Sequence, residues 1–126
     1  IHKAIGSVFF LHGFGLSAKL QAAKWSMRIR KRVKGSENLR FIFLQAPRRS
    51  ITCYGGIIKN SWHDYFSDFG GNKEKRPQLE ETIDVRHLQQ VRTKIHSIIL
   101  QEAEQFYQND TSKIALFGDS QGGCIA

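Results

Sequence analysis

A serine between two glycines, close to the end of the chain, has the surroundings of a catalytic nucleophile. Residues 118–122, Gly-Asp-Ser-Gln-Gly, fit the pattern G-x-S-x-G, and the four apolar residues from Ile114 to Phe117 lead directly into them. In a nucleophile elbow a strand ends and a helix begins at the serine, in a turn so tight that side chains at the flanking positions would collide with their neighbours. The pattern therefore predicts that Ser120 is a nucleophile and that the backbone N–H of Gln121 faces a developing oxyanion.

Three short apolar runs predict the strands that must hold this turn. Ser7 to His12 ends in Gly13-Phe14-Gly15, Leu39 to Leu44 ends before Ala46-Pro47, and the third run leads into the elbow. Continuous apolar runs of this length are typical of strands buried on both faces, as in a parallel sheet.

Two longer segments have the periodicity of helices. The first runs from Ser17, a candidate N-cap, to about Lys34, and Gly35 supplies a stop signal. The second runs from about Thr82 to Tyr107 and is the strongest helix pattern in the chain. The apolar residues of the first helix are Leu20, Ala23, Met27 and Ile29, and those of the second are Val85, Leu88, Val91, Ile95, Ile98, Ile99 and Phe106.

The alternation of strands and helices predicts an α/β fold, a parallel sheet with flanking helices, in a single domain over residues 1–126. Residues 45–78 are predicted to be one long irregular region, and regions of this length are usually functional when they are ordered. Within it, the glycine-rich and charged residues 70–78 are expected to form a mobile excursion.

Composition excludes several classes of protein. With 126 residues, 40% of them hydrophobic and only two prolines, the chain is expected to be globular rather than disordered. No apolar run approaches the roughly 20 residues of a membrane-spanning helix, and the first residues lack the pattern of a signal peptide. Cys53 and Cys124 are too few for a disulfide framework, so we expect reduced thiols and a cytoplasmic location. Because no His or Cys pair has ligand spacing, we expect no metal site. We also expect no cofactor.

The net charge of +8 is concentrated in one region. Between Lys19 and Arg40 there are eight Lys or Arg residues against a single acid, Glu37. Such a run could contact nucleic acid or an anionic surface. We favour a solvated helix face, because the run lacks the interleaved aromatic residues of a single-strand binder.

Four stretches together resemble the phospholipase/carboxylesterase branch of the α/β-hydrolases, which includes cytosolic carboxylesterases and acyl-protein thioesterases. Residues 10–15, Phe-Leu-His-Gly-Phe-Gly, are similar to the family's F-L-H-G-x-G, and residues 118–123 to its G-F-S-Q-G-G, with Asp119 at the usual phenylalanine. The helix ending at Tyr107 lies where the family has one. The intervening loop resembles A-P…T…G-G…S-W-x-D through Ala46-Pro47, Thr52, Gly55-Gly56 and Ser61-Trp62-His63-Asp64.

The resemblance implies a serine hydrolase that cleaves thioesters or oxygen esters of acyl substrates through an acyl-enzyme on Ser120. It implies that the backbone N–H groups of Phe14 and Gln121 form the oxyanion hole, and that Leu16 and Trp62 contact the substrate. S-acylated proteins and lysophospholipids are the substrate classes that the family suggests. Leu16 replaces the family's aspartate and His63 an aromatic residue, which leaves the acyl-chain preference open.

The other two members of a catalytic triad are absent from this sequence. In this fold the Asp or Glu and the His follow the serine, so both are expected beyond Ala126, in a missing C-terminal half of the domain. These residues by themselves are therefore expected to be nearly inactive. Of the histidines present, His12 is expected to be structural and His63 is the weak candidate for a substitute base. Cys124 is expected to be a small core residue.

A competing hypothesis is a truncated, non-catalytic hydrolase fold with a structural role in a larger assembly. The basic helix and the absent triad partners favour it, whereas the intact elbow and H-G-x-G turn favour the enzyme.

The order of the strands can also be predicted. The right-handed crossover rule and the resemblance together place the strand at 7–12 between those at 39–44 and 113–118. The elbow strand would then keep one open side, where the missing half would dock.

Overall fold

The computed structural model describes residues 3–67 and 82–126, which form a three-stranded parallel sheet with helices on both faces. Strand β1 (Gly6–Leu11) lies at the centre, between β2 (Leu39–Leu44) and β5 (Ile114–Gly118), and both pairings are parallel. The α/β class and the predicted strand order are confirmed. Because all three strands run the same way, the loops that follow them gather at one edge of the sheet.

Helix α1 (Ala18–Arg32) and helix α2 (Val85–Tyr107) begin at side-chain caps. The Ser17 hydroxyl accepts the N–H of Leu20 at 3.2 Å, which confirms the predicted N-cap. The Asp84 carboxylate accepts the N–H of His87 at 3.1 Å, so α2 begins three residues later than the sequence suggested. A third helix, α3 (Gln121–Ile125), follows the elbow.

The two long helices cover opposite faces of the sheet. On one face, Trp25 of α1 packs against Phe117, with ring centroids 5.5 Å apart, and Phe117 in turn packs against Phe10. On the other face, Leu11 packs in one buried cluster with Val91 and Ile95 of α2. Phe10 and Leu11 are consecutive, so the alternation of side chains along β1 supplies both cores.

The predicted irregular region contains a β-hairpin, and the prediction was wrong there. Strands β3 (Arg48–Ile51) and β4 (Ile57–Asn60) pair antiparallel, and Gly55 and Gly56 turn between them with φ of 66° and 83°. Each strand has four residues, too few for an alternating pattern to stand out, and long-range packing decides such short strands. The mobile excursion expected at 70–78 lies outside the described residues.

Helix α1 is confirmed, but most of the apolar residues that predicted it do not pack on the sheet. Leu20, Ala23 and Met27 are exposed, whereas Gln21 is buried and Trp25 is half-buried. The large indole of Trp25 reaches Phe117, so the helix turns this side of its surface towards the sheet.

The elbow strand has an open side. Among the described residues β5 pairs with β1 alone, as predicted, and Leu116 and Phe117 are each 38% exposed. Unpaired backbone groups on an exposed apolar strand are a ready site for a further strand.

None of the helices within residues 3–67 and 82–126 combines the length and the apolar character that a membrane crossing requires.

Arg30 and Arg40 of the basic region have structural roles, so the expectation of a solvated face was incomplete. Arg40 forms an ion pair with Glu102 at 2.8 Å. The Arg30 guanidinium donates from Nη2 to the carbonyl of Leu39 at 3.0 Å and from Nη1 to the carbonyl of Ser36. It also lies over the ring of Phe41, 4.0 Å from the ring centroid. Arg30 therefore joins the end of α1 to the start of β2.

We expect Arg30→Ala to lower the free energy of unfolding by about 1–3 kcal/mol, because two charge-assisted hydrogen bonds and a cation–π contact are lost together. The matched control is Arg28→Ala, an exposed arginine of the same helix, which should change it by less than about 0.5 kcal/mol. Urea unfolding of both variants measures the difference, and equal effects would contradict the structural role of Arg30.

Candidate active site

Ser120 occupies a backbone conformation that side chains rarely adopt. Its φ is 53° and its ψ is −120°, at the junction between β5 and α3. A non-glycine residue in a sparsely populated region costs on the order of 1–3 kcal/mol, and such residues concentrate at functional sites. This is the strained strand-to-helix turn that the G-x-S-x-G pattern predicted.

The two glycines of the pattern are required because backbone atoms approach them closely. A Cβ on Gly118 would lie 2.2 Å from the carbonyl oxygen of Gly122. A Cβ on Gly122 would lie 2.1 Å from the carbonyl oxygen of Leu11 in the neighbouring strand. Both distances are far below van der Waals contact, so a larger residue would push α3 away from β5 at position 118 and away from β1 at position 122.

The turn after β1 packs directly beside the serine. A Cβ on Gly13 would lie 3.3 Å from Cβ of Ser120 and 3.6 Å from Cδ1 of Leu16. The N–H of Asp119 donates to the carbonyl of Leu11 at 3.1 Å, which ties the elbow to the end of β1. The structure thus brings together Ser120, Leu16 and the turn that contains Phe14.

Two backbone N–H groups next to this point have no acceptor among the residues that the structure describes. Within residues 3–67 and 82–126, neither the N–H of Phe14 nor that of Gln121 donates to a protein group. The Phe14 ring is held edge-on against Tyr65, with centroids 5.2 Å apart. The role of these two N–H groups as an oxyanion hole stays a prediction.

His12 is buried and serves the structure, as the sequence indicated. Its Nε2 accepts the N–H of Ala46 at 3.0 Å, and its Nδ1 lies 2.8 Å from the carbonyl oxygen of Gly13. This pairing requires the neutral imidazole with its proton on Nδ1. Burial lowers the pKa of His12 below its usual 6.5, although the carbonyl of Gly13 partly opposes the shift.

The side chain of Gln121 has a second role that sequence reasoning missed. Its Oε1 accepts the N–H of Trp62 at 2.9 Å, and its Nε2 donates to the Ser61 hydroxyl at 2.9 Å and to the carbonyl of His63 at 3.3 Å. The side chain is buried, so these bonds replace water completely. A glutamine directly after the nucleophile, together with the S-W pair, was the signal that could have indicated this bridge.

Trp62 lies in the core beneath the site. It packs with Leu11, Val91 and Ile95, and its indole N–H donates to the carbonyl of His12 at 2.7 Å. Leu16, in contrast, is 43% exposed beside Ser120. Substrate contact by either residue stays a prediction, and the exposure of Leu16 makes it the more accessible of the two.

The aspartates and basic residues around the loop form a structural network. Asp64 accepts the N–H of Thr52 at 2.8 Å, and its own N–H donates to Asp84 at 2.7 Å. Burial raises the pKa of the Asp84 carboxyl, but hydrogen bonds from Asp64 and His87 outweigh it, so the net pKa lies below its usual value. Burial also lowers the pKa of Arg49, and the carboxylates of Asp84 and Asp64 oppose that shift.

The other residues that the sequence singled out are His63 and Cys124. The Nδ1 of His63 lies 2.8 Å from the carbonyl oxygen of Asp64, and its ring packs against Tyr65. Within the described residues no hydrogen bond joins His63 to Ser120. Cys124 is exposed on α3, which corrects its expected core position, because the inward side of this short helix is taken by Gln121 and Gly122. In the part of the chain that the structure describes, no three His, Cys, Asp or Glu residues are grouped as metal ligands.

Comparisons with known proteins agree with this geometry. All residues from 1 to 126 match the sequence model of the phospholipase/carboxylesterase family. Acyl-protein thioesterase 1 of Debaryomyces hansenii is 26% identical over 126 residues, which are 98% of this chain and 50% of that protein.

Solved structures are similar over nearly the whole chain. The crystal structure of Arabidopsis thaliana SOBER1 has a TM-score of 0.73 at 24% identity and covers 95% of this chain and 51% of its own. Zea mays acyl-protein thioesterase 2 has a TM-score of 0.65 at 19% identity, with 99% and 44% covered. These likenesses confirm the predicted α/β-hydrolase fold. The chain spans about half the length of the curated relative and of the solved structures that it matches.

The Gln121 bridge leads to a stability prediction. Gln121→Ala leaves the buried N–H of Trp62 and the Ser61 hydroxyl with fewer partners, and we expect the free energy of unfolding to fall by about 1–3 kcal/mol. Gln105→Ala, an exposed glutamine of α2, is the control and should change it by less than about 0.5 kcal/mol. Urea unfolding tests both, and an unchanged midpoint for Gln121→Ala would refute the bridge.

His12 should make stability depend on pH. Its folded-state pKa lies below 6.5, so below that pH the unfolded chain takes up a proton that the folded protein does not. The free energy of unfolding should therefore fall between pH 7 and pH 5, by up to about 1.4 kcal/mol per pH unit. Urea unfolding against pH should show a shallower slope for His12→Gln, whose amide can still accept the N–H of Ala46. The exposed control His96→Gln should keep the wild-type slope, and a slope that His12→Gln leaves unchanged would contradict the assignment.

Proposed function

This chain belongs to the phospholipase/carboxylesterase family, and we propose that the protein hydrolyses acyl thioesters or oxygen esters through an acyl-enzyme on Ser120. The observation that carries the proposal is the backbone of Ser120, with φ of 53° and ψ of −120° between two glycines that admit no side chain. A strained turn is maintained only where the surrounding structure enforces it, and here β1, the turn after it and α3 all do.

The proposed reaction follows from what lies around this turn. The Ser120 oxygen attacks the carbonyl carbon of the substrate, and a base takes the hydroxyl proton. The N–H groups of Phe14 and Gln121, which have no acceptor among the described residues, donate to the oxyanion of the tetrahedral intermediate. Collapse of this intermediate releases the thiol or alcohol with a proton from the base. Water then attacks the acyl-enzyme in the same way and frees the carboxylic acid.

In this proposal, the general base that deprotonates Ser120 lies in the part of the domain outside these 126 residues. His12 is unsuitable because both ring nitrogens are engaged in a buried site, and His63 contacts Asp64 and Tyr65 rather than Ser120. The order of a triad in this fold places the Asp or Glu and the His after the serine.

An acyl chain is the substrate group that the site favours. Leu16 and Ser120 flank the same point beside Gly13, and Leu16 offers an exposed apolar side chain there. Two of the similar proteins are named acyl-protein thioesterases, which supports S-acylated proteins as substrates, with lysophospholipids as the other class.

In this proposal the second half of the domain packs against the open side of β5. Leu116 and Phe117 are partly exposed there, and the relatives are about twice as long as this chain. The alternative of a non-catalytic structural subunit is not favoured, because a fold without catalysis gains nothing from a strained serine.

A fluorophosphonate probe tests the nucleophile. In the whole protein that contains this chain, we expect covalent labelling that Ser120→Ala abolishes, because only an activated serine attacks the probe rapidly. The matched control is Ser97→Ala, an exposed serine of α2, which should label like the wild type. The readout is gel fluorescence with the adduct located by peptide mass spectrometry, and labelling that survives Ser120→Ala would refute the assignment.

A further inference from the structure

Helix α1 presents a stripe of alternating apolar and basic side chains to solvent. Leu20, Lys24, Met27 and Lys31 follow one another at spacings of four, three and four residues, which places them on one side of a helix. All four are exposed, Leu20 at 60% and Met27 at 64%. We call these four residues the α1 stripe.

The α1 stripe lies on a part of the helix surface that the sheet leaves exposed. The side of the helix towards the sheet carries Gln21 and Trp25, and Trp25 packs against Phe117 of β5. At 3.6 residues per turn, Leu20 and Met27 lie about 100–160° around the helix axis from these inward residues. Lys24 lies nearer to them, with its Nζ 5.1 Å from the centroid of the Trp25 ring.

The charge around the stripe has one sign. Residues 18–32 include six Lys or Arg and no Asp or Glu. Among the described residues, no carboxylate forms an ion pair with any of these six side chains. The face therefore combines two exposed apolar side chains with positive charges that no carboxylate of the described residues pairs with.

We propose that the α1 stripe docks the protein onto the surface of an anionic lipid bilayer. Leu20 and Met27 enter the boundary between headgroups and acyl chains, while Lys24 and Lys31 pair with anionic headgroups. Peripheral helices that lie in the bilayer interface combine apolar area with Lys and Arg in this way. The interaction is peripheral and needs no membrane-spanning helix.

An anionic bilayer matches the α1 stripe better than a nucleic acid or a second copy of the chain does. A nucleic acid would pair with the lysines but would leave Leu20 and Met27 without an apolar partner, and Trp25 is turned inward, away from any base. A second copy of the chain would bring the same positive charge to the interface, which opposes association.

Docking on this face would bring the candidate active site close to the lipid. Helix α1 begins at Ala18, directly after Leu16 and the turn beside Ser120. Acyl groups on membrane-bound substrates would thus meet the catalytic edge of the sheet. The docking proposal itself does not depend on hydrolysis, since vesicle binding is measured without a reaction.

Sedimentation with vesicles of phosphatidylcholine, with and without phosphatidylserine, tests the proposal. We expect binding that requires phosphatidylserine and weakens as salt rises. Lys24→Gln with Lys31→Gln should weaken it about fivefold for each lysine removed. Leu20→Ser with Met27→Ser should weaken it on the order of tenfold, because the inserted apolar area is lost.

Matched variants on α2 separate the stripe from general charge and hydrophobicity. Leu100 is 60% exposed, like Leu20, and Arg92 is an exposed base, so Leu100→Ser and Arg92→Gln should bind as the wild type does. Circular dichroism of every variant verifies that the fold is retained.

Three results would overturn the proposal. The first is wild-type vesicle binding by Leu20→Ser with Met27→Ser, and the second is equal loss of binding in the α2 controls. The third is evidence that the α1 stripe binds something other than a lipid bilayer. Tighter binding to RNA than to vesicles would assign the face to nucleic acid, and a dimer that Leu20→Ser with Met27→Ser dissociates would assign it to a second copy.

Discussion

The contact between the end of β1 and the elbow is the constraint on which the site depends. The carbonyl of Leu11 accepts the N–H of Asp119, and the backbone of Gly122 lies so close to the same carbonyl that no side chain fits between them. Because of this close contact, β1 and β5 end next to each other, and α3 begins directly after the elbow. Ser120 is then left with a single backbone conformation, in which its strain is balanced by the packing on either side.

A set of buried hydrogen bonds holds the surrounding loop in register with that contact. Ala46 donates to His12, Trp62 donates to the carbonyl of His12, and Gln121 accepts from Trp62, so the bonds run from β1 through the loop to the elbow helix. In an interior of low dielectric, each unpaired group would be costly, and a fully paired network favours one arrangement. The neutral state of His12 belongs to this network, because a charged imidazole could not accept the N–H of Ala46.

Helix α1 packs against the sheet with one side and exposes apolar side chains elsewhere on its surface. Trp25 packs on the elbow strand, and Arg30 connects the carboxyl end of the helix to β2, so both residues stabilise the fold. Leu20 and Met27 are 60% and 64% exposed and lie outside the buried core. Apolar side chains that the core does not use, on a helix without acids, are therefore available for an external surface.

Local patterns in the sequence determined the positions of the three sheet strands, the two long helices, the Ser17 cap and the elbow, because each depends on neighbouring residues. The glycine spacing around Ser120 is of this kind, since a tight turn excludes side chains wherever it occurs. The tertiary structure alone decided the β3–β4 hairpin, the exposure of Cys124, the inward side of α1 and the bridge from Gln121 to Trp62. Each of these depends on a partner distant in the sequence, and burial by such partners overrides what a short stretch prefers by itself.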